Sequence, residues 1–365
     1  MTGQIKHFFA SGNTSAGFYS LWDTNLQNLQ KLYIITGAPG TGISSLIHAV
    51  GNRLSANGCD LEYVHNSLDE QKLDGLIAPA IGVGIVSGNY PHQFQIKYPG
   101  AVEEMIYLGH CWDAVSLNQR REEIIRLFDE MQTRLEKAFA HFAKAKEIHL
   151  QREAIYAQGI DFDRVNRFTT QLLHRLFLGK QIEKNPRVRK RFFGAATANG
   201  VVHFIDELTE NMTTRIILKG KPGSGKSTLL KKLAAESMAN GLDTDIYQCS
   251  FDPESVDMVI IPALKAAVLD GTDPHPIDPV RAGDEVVDLY ELSHTQNIDR
   301  LYHDELQQTF RQYKTETKQA VQMIAKAKQV RDSLASIYAR AVDLTKVDEI
   351  KENIVDTINM LANRT

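Results

Sequence analysis

The densest concentration of chemistry in the chain is the stretch GKPGSGKST: Gly220, Lys221, Pro222, Gly223, Ser224, Gly225, Lys226, Ser227 and Thr228. Its spacing, G-x-x-x-x-G-K-[ST], suits a polyphosphate. The glycines let successive backbone N–H groups turn inward around a β-phosphate, and a helix start adds positive potential. Lys226 then reaches the β- and γ-phosphates as a catalytic cation, and the Ser227 hydroxyl coordinates Mg2+. The metal also needs a carboxylate at the end of a neighbouring strand. Ala266-Ala267-Val268-Leu269-Asp270 is the best apolar run ending in an acid, so Asp270 is expected as metal ligand and catalytic residue, with Asp252 in SFDPES as its competitor. Gly271 follows, so the adjacent glutamate that polarises water in many fast ATPases is missing. A slow ATPase, a switch and a kinase-like transfer all fit.

A second loop, GAPGTGISS, keeps Gly37, Gly40, Gly42 and Ser44 but places Ile43 where Lys226 stands, and Ser87 falls where Asp270 stands. Losing the phosphate cation and the metal acid together predicts a degenerate site without turnover. Asp69 and Asp252, Asp74 and Asp257, and His92 and His275 occur at both places, which suits scaffold roles. If His275 and Asp273 lie beside the phosphates, DGTDPH could position water or substrate.

The two loops belong to an internal duplication. Gly37 matches Gly220 at an offset of 183, and the match runs ungapped to Tyr107 and Tyr290 with 21 identities over 71 positions. That exceeds what unrelated segments share. Downstream, KAKEIHLQREAIYAQGIDF from Lys144 matches KAKQVRDSLASIYARAVDL from Lys326 at an offset of 182. The copies are placed at 1-183 and 184-365, joined by the basic stretch KQIEKNPRVRKR, which is expected to be a solvated linker. Phe8-Phe9 and Phe192-Phe193 recur as core residues.

Each copy reads as an apolar run, a glycine turn, a helix, further apolar runs and a long charged helical stretch, an α/β pattern. Spacings of three and four, as in Ile124, Leu127, Phe128, Met131 and Leu135, predict amphipathic helices. A parallel-sheet core with a long α-helical hairpin in each copy is expected, with a last helix (Phe168, Leu172, Leu176; Ile350, Ile354, Ile358) packing back onto the core. Thr345-Lys346-Val347-Asp348 has the form of the guanine-reading [NT]-K-x-D, yet lacks a strand before it and reads as a helix N-cap. ATP is thus taken over GTP on general frequency alone.

Composition narrows the rest. At 365 residues and 41.0 kDa, with 43% apolar and 24% charged residues, the chain suits two ordinary globular domains. A formal charge of -4 and pI near 6.3 give no global pull toward nucleic acid or anionic lipid. Cys59, Cys111 and Cys249 lie far apart and odd in number, so neither disulfides nor a zinc site is expected. No run approaches a membrane span, and a cytoplasmic location is expected.

Together the loops GAPGTGISS and GKPGSGKST, the repeated SLDEQKLDGLIAP and SFDPESVDMVIIP, and LDGTDPH resemble a bacterial family of double P-loop ATP-binding proteins. The resemblance covers nearly the whole chain and implies a P-loop NTPase fold in each half, with ATP and Mg2+ as cofactors. Ile43 departs from the family pattern, so a second active site does not follow. The expected function is ATP binding with slow Mg-dependent hydrolysis at the second loop, the first copy being regulatory or structural. A kinase-like phosphotransferase, or a switch engaging a protein partner through the helical hairpins, is the alternative.

Overall fold

The computed structural model describes residues 3–362 and resolves the duplication into two six-stranded sheets with the same order. The first half runs β1 (Ile5–Phe8), β2 (Lys31–Thr36), α1 (Ile43–Ala56), β3 (Leu61–His65), β4 (Leu73–Ala78), β5 (Val83–Ser87) and β6 (Glu103–Tyr107). Two long elements follow, α2 (Arg121–Ala157) and α3 (Phe162–Phe177). The second half repeats this as β7 (Val188–Arg191), β8 (Thr214–Lys219), α4 (Lys226–Ala239), β9 (Thr244–Gln248), β10 (Val256–Ile261), β11 (Ala266–Asp270), β12 (Asp284–Asp288), α5 (His303–Ala341) and α6 (Leu344–Ala362). The sheet orders are β1-β3-β4-β5-β2-β6 and β7-β9-β10-β11-β8-β12.

The α/β class holds, but the sheets are mixed and not parallel. β4 runs antiparallel to β3 and β5, and β10 to β9 and β11, while the other pairings are parallel. The cause is connection length. Only residues 66–72 and 79–82 join β4 to its neighbours, far short of the dozen or so that a parallel crossover needs. β4 (LDGLIA) and β10 (VDMVII) are buried along nearly their whole length, with one acid each, Asp74 and Asp257, and no alternation that would mark direction.

The hairpin expected within each copy is instead a pair formed between copies. α2 has 37 residues and α5 has 39, and they run antiparallel along most of their length. Leu127 meets Leu334 and Ile337 at one end, Ala138 and Phe142 meet Ala320 and Ile324 midway, and Tyr156 meets Leu306 at the other. Fully buried Ala138, Ala145, Ala320 and Ala327 allow the close approach.

Having crossed over, each long helix delivers its successor to the opposite sheet. Leu172 and Phe177 of α3 enter the core of the second half beside Ile216 and Leu230. Ile354 and Ile358 of α6 enter the core of the first half beside Ile35 and Ile47. The amphipathic faces are as read, but packing crosses the repeat boundary. Each helix is capped by the aspartate just before it, Asp161 or Asp343, two residues earlier than the cap expected for the second.

The basic junction is not a solvated linker throughout. Residues 188–191 form β7, and Arg189 and Arg191 are buried against Glu62 at 2.9 and 2.6 Å, with Arg189 also held by Asp245 at 2.6 Å. Phe9 and Phe192 exchange backbone hydrogen bonds of 3.0 and 2.9 Å, which ties the two sheet edges together. Among the described residues no helix is long and apolar enough to cross a membrane.

Candidate functional site

In the second half the chain leaves β8 through Gly220 (φ 135°) and Gly223 (φ 75°) and enters α4 at the left-handed Gly225 (φ 92°). Side chains other than glycine rarely take these conformations, and a Cβ on Gly220 would strike the Ser224 hydroxyl. Ser224 is buried with its hydroxyl unpartnered. Lys226, only 9% exposed, donates to the carbonyls of Gly220 and Lys221 at 3.0 and 3.2 Å, and its Nζ stands 3.7 Å from Asp270 Oδ2. Parallel pairing of β8 with β11, which sets Leu218 opposite Asp270, brings that acid to the loop. Asp270 Oδ1 accepts from the Thr272 backbone N–H at 2.9 Å and from its hydroxyl at 2.6 Å. Ser227 Oγ accepts from the Val256 N–H at 3.0 Å.

These groups line one cleft of about 560 Å3, together with Pro222, Thr228 and residues of both long helices. The expected loop residues and Asp270 are therefore brought together. Lys221 lines it too, but its ammonium is engaged with Asp299 at 3.1 Å and lies over the Tyr156 ring. Asp252, the competing acid, is held by Lys146 of α2 at 2.9 Å, matching Asp69, held by Arg331 of α5 at 2.9 Å. Both are ties to the long helix. Comparison of the chain with family models, curated proteins and solved structures returned no match.

The repeated acid and histidine behave differently in the halves. Asp74 accepts from Asn66 at 2.9 Å and pairs with His92 at 3.0 Å. In the second half Cys249 replaces that asparagine, and His275 packs against Phe193 and His203. Burial, reinforced by the Asp270 carboxylate, raises Asp257 to about 7. Burial and His203 lower His275 to about 4, so its ring is neutral near pH 7. Asp273 and His275 do reach the cleft, as DGTDPH suggested, with Asp273 3.5 Å from Lys314.

The first loop turns at two of the matching glycines, though Gly37 does not share the positive φ of Gly220, and it has other contents. Gly40 (φ 86°) and Gly42 (φ 91°) turn it, and Ser44 Oγ accepts from the Leu73 N–H at 2.9 Å, the counterpart of the Ser227 bond. Ile43 is buried in the apolar core. Asn89 Oδ1 accepts the Gly37 N–H at 2.7 Å, and Thr41 folds onto the Ala38 carbonyl at 2.7 Å, so parts of this loop are satisfied from within.

Sequence reasoning missed what α2 contributes. Gly223 lies against the Glu153 backbone, with no room for a Cβ, and Arg152 lines the cleft. Gly40 meets Ala335 of α5 in the same way. Continuing the 182-residue match along these helices sets Arg152 against Leu334, a third charge lost from the first site.

Proposed function

We propose that the second half binds a nucleoside triphosphate, ATP by the sequence reading, with Mg2+, and hydrolyses it slowly, while the first half serves as a regulatory or structural partner without turnover. The observation that carries this is the meeting of Lys226, the glycine-turned loop and Asp270 in one cleft, with Ile43 and Ser87 at the corresponding places of the other half. The residues suit the ligand. A cradle that a Cβ would fill, a buried hydroxyl without a partner and a buried ammonium answer a polyphosphate. Ser227 and Asp270 would hold Mg2+, which supplies charge neutralisation on the phosphates. Among the described residues no cluster of three or more His, Cys, Asp or Glu side chains forms a cage, consistent with an ion that takes most of its ligands from phosphate and water. Membership of the double P-loop ATP-binding family is part of this proposal.

A kinase-like transfer is the second reading. Gly271 supplies no second acid beside Asp270, and the cleft continues past the loop to Tyr313 and Lys314, giving room for an acceptor. Calorimetric titration with a non-hydrolysable ATP analogue and Mg2+ tests the first reading. One equivalent should bind, and Lys226→Ala should abolish it; two equivalents, or binding that survives the substitution, would overturn the assignment. Nucleotide consumption that requires a small acceptor would favour the second reading.

A further inference from the structure

The cleft holds a cation that no carboxylate answers. Arg152 sits in α2 of the first half, and among the described residues it makes no ion pair; its Nε is buried without a hydrogen-bond partner. Its guanidinium lies 5.0 Å over the Phe310 ring and lines the same cleft as Gly220, Lys226 and Asp270. Arg152 is half-buried rather than removed from water, but its shielded Nε has lost water without gaining an acceptor, and the cation–π contact offsets only part of that cost. The next residue, Glu153, sets its backbone against Gly223, which fixes Arg152 at a definite height over the loop. The first site has Leu334 at this place, as it has Ile43 for Lys226 and Ser87 for Asp270. All three charges are present at one loop and absent at the other, which is the pattern expected of groups serving one ligand.

We infer that Arg152 is the binding group for the terminal phosphate of the triphosphate held by the second loop, so that the first half completes the working site of the second. This rests on the nucleotide reading above. In hydrolysis a water oxygen bonds to the γ-phosphorus as its bond to the β,γ-bridging oxygen breaks. The electron pair leaves with the diphosphate, and the water's protons pass to inorganic phosphate and solvent. Arg152 exchanges no proton; it offsets the charge on the transferring group alongside Lys226. A planar guanidinium suits two phosphate oxygens at once, which a lysine does not.

The test uses the full chain with Arg152→Leu, a residue the fold already accommodates at position 334, and Arg152→Lys, titrated with Mg2+ and either a non-hydrolysable ATP analogue or ADP. The wild type should prefer the triphosphate. Arg152→Leu should lose that preference by about tenfold, leave ADP affinity within about twofold, and lower turnover by at least about 100-fold; Arg152→Lys should fall between. A melting curve close to wild type separates this from unfolding, and Arg152→Gln replaces the leucine variant if that one melts early. If triphosphate preference and turnover survive in these variants while Lys226→Ala fails to bind, Arg152 has no such role and the nucleotide reading stands. If the wild type binds neither nucleotide, both fall.

Discussion

The loops at 37–45 and 220–228 share most of their backbone turns, apart from the positive φ of Gly220, which Gly37 does not adopt. Left-handed Gly42 and Gly225 open their helices at φ 91° and 92°, Ser44 and Ser227 accept the same strand N–H, and each loop leans on the backbone of a long helix from the other half. They differ in charge: lysine against isoleucine, aspartate against serine, arginine against leucine. The conformation is needed by the fold, because it turns a strand end into a helix start over the core. On the nucleotide reading, the charges answer the ligand and not the fold.

The sharpest way to break this comparison is to exchange the charges. Lys226→Ile makes the second loop resemble the first and should weaken nucleotide binding by at least about 100-fold, the largest effect expected here. The converse, Ile43→Lys with Ser87→Asp and Leu334→Arg, should raise binding from one equivalent to two in a calorimetric titration. A stoichiometry that stays at one would mean that shape also separates the sites. Asn89 on the Gly37 N–H and the Tyr90 ring 5.4 Å from Phe128 would then be the obstacles.

Next in size is the junction between the halves. Glu62 answers both Arg189 and Arg191, and although its burial works to raise its pKa, those guanidiniums hold it down to about 2. Glu62→Leu leaves the buried Arg191 without a carboxylate and Arg189 with Asp245 alone, and should cost about 3–5 kcal/mol in denaturant titration. Because the native pKa is depressed, the contribution is complete above the unfolded value near 4.5 and is lost as pH falls toward 2. A loss below about 1 kcal/mol would show water reaching the network.

The repeated histidine gives a smaller contrast. His275 is lowered to about 4, whereas His92 has a carboxylate 3.0 Å away. The unfolded chain protonates His275 first, so this residue subtracts stability as pH falls from 6.5 toward 4 and is neutral in its effect above that window. His275→Gln should therefore reduce the stability lost between pH 7 and 5 by about 1–2 kcal/mol, while His92→Gln, which breaks the pair with Asp74, should destabilise at pH 7 as well. If His275→Gln loses as much stability over that window as the wild type, burial does not hold this ring neutral.

Much of this contrast was legible from residue types alone. The duplication, the loop with its strand before and helix after, Asp270 and the deficits at Ile43 and Ser87 are all local patterns. Strand direction was hidden because buried strands lack alternation, although the short spans 66–72 and 79–82 carried the answer. The pairing of α2 with α5 was not legible, since an amphipathic stripe states that a face is buried and not by what. Arg152 was missed for the same reason: its role depends on a helix of one half lying over the loop of the other.

The exchanged helices extend the contrast to its smallest scale. Arg53 of α1 pairs with Glu352 of α6 on the first sheet, and Arg175 of α3 pairs with Glu285 of β12 on the second at 2.8 Å. Both bridges join an exchanged helix to the half that receives it, and both are largely exposed. Screening and side-chain entropy leave such exposed pairs little net worth, so Glu352→Gln and Glu285→Gln should each change stability only slightly, and less still in salt. Ile354→Ala, which removes buried volume from the same helix, should cost about 2–5 kcal/mol. Hydrogen exchange along α6 would separate the two: Ile354→Ala should speed exchange through the whole helix, whereas Glu352→Gln should leave it nearly unchanged. If the charge variant frees the helix as fully as the core variant does, the crossover is held by its rim and not by its apolar face.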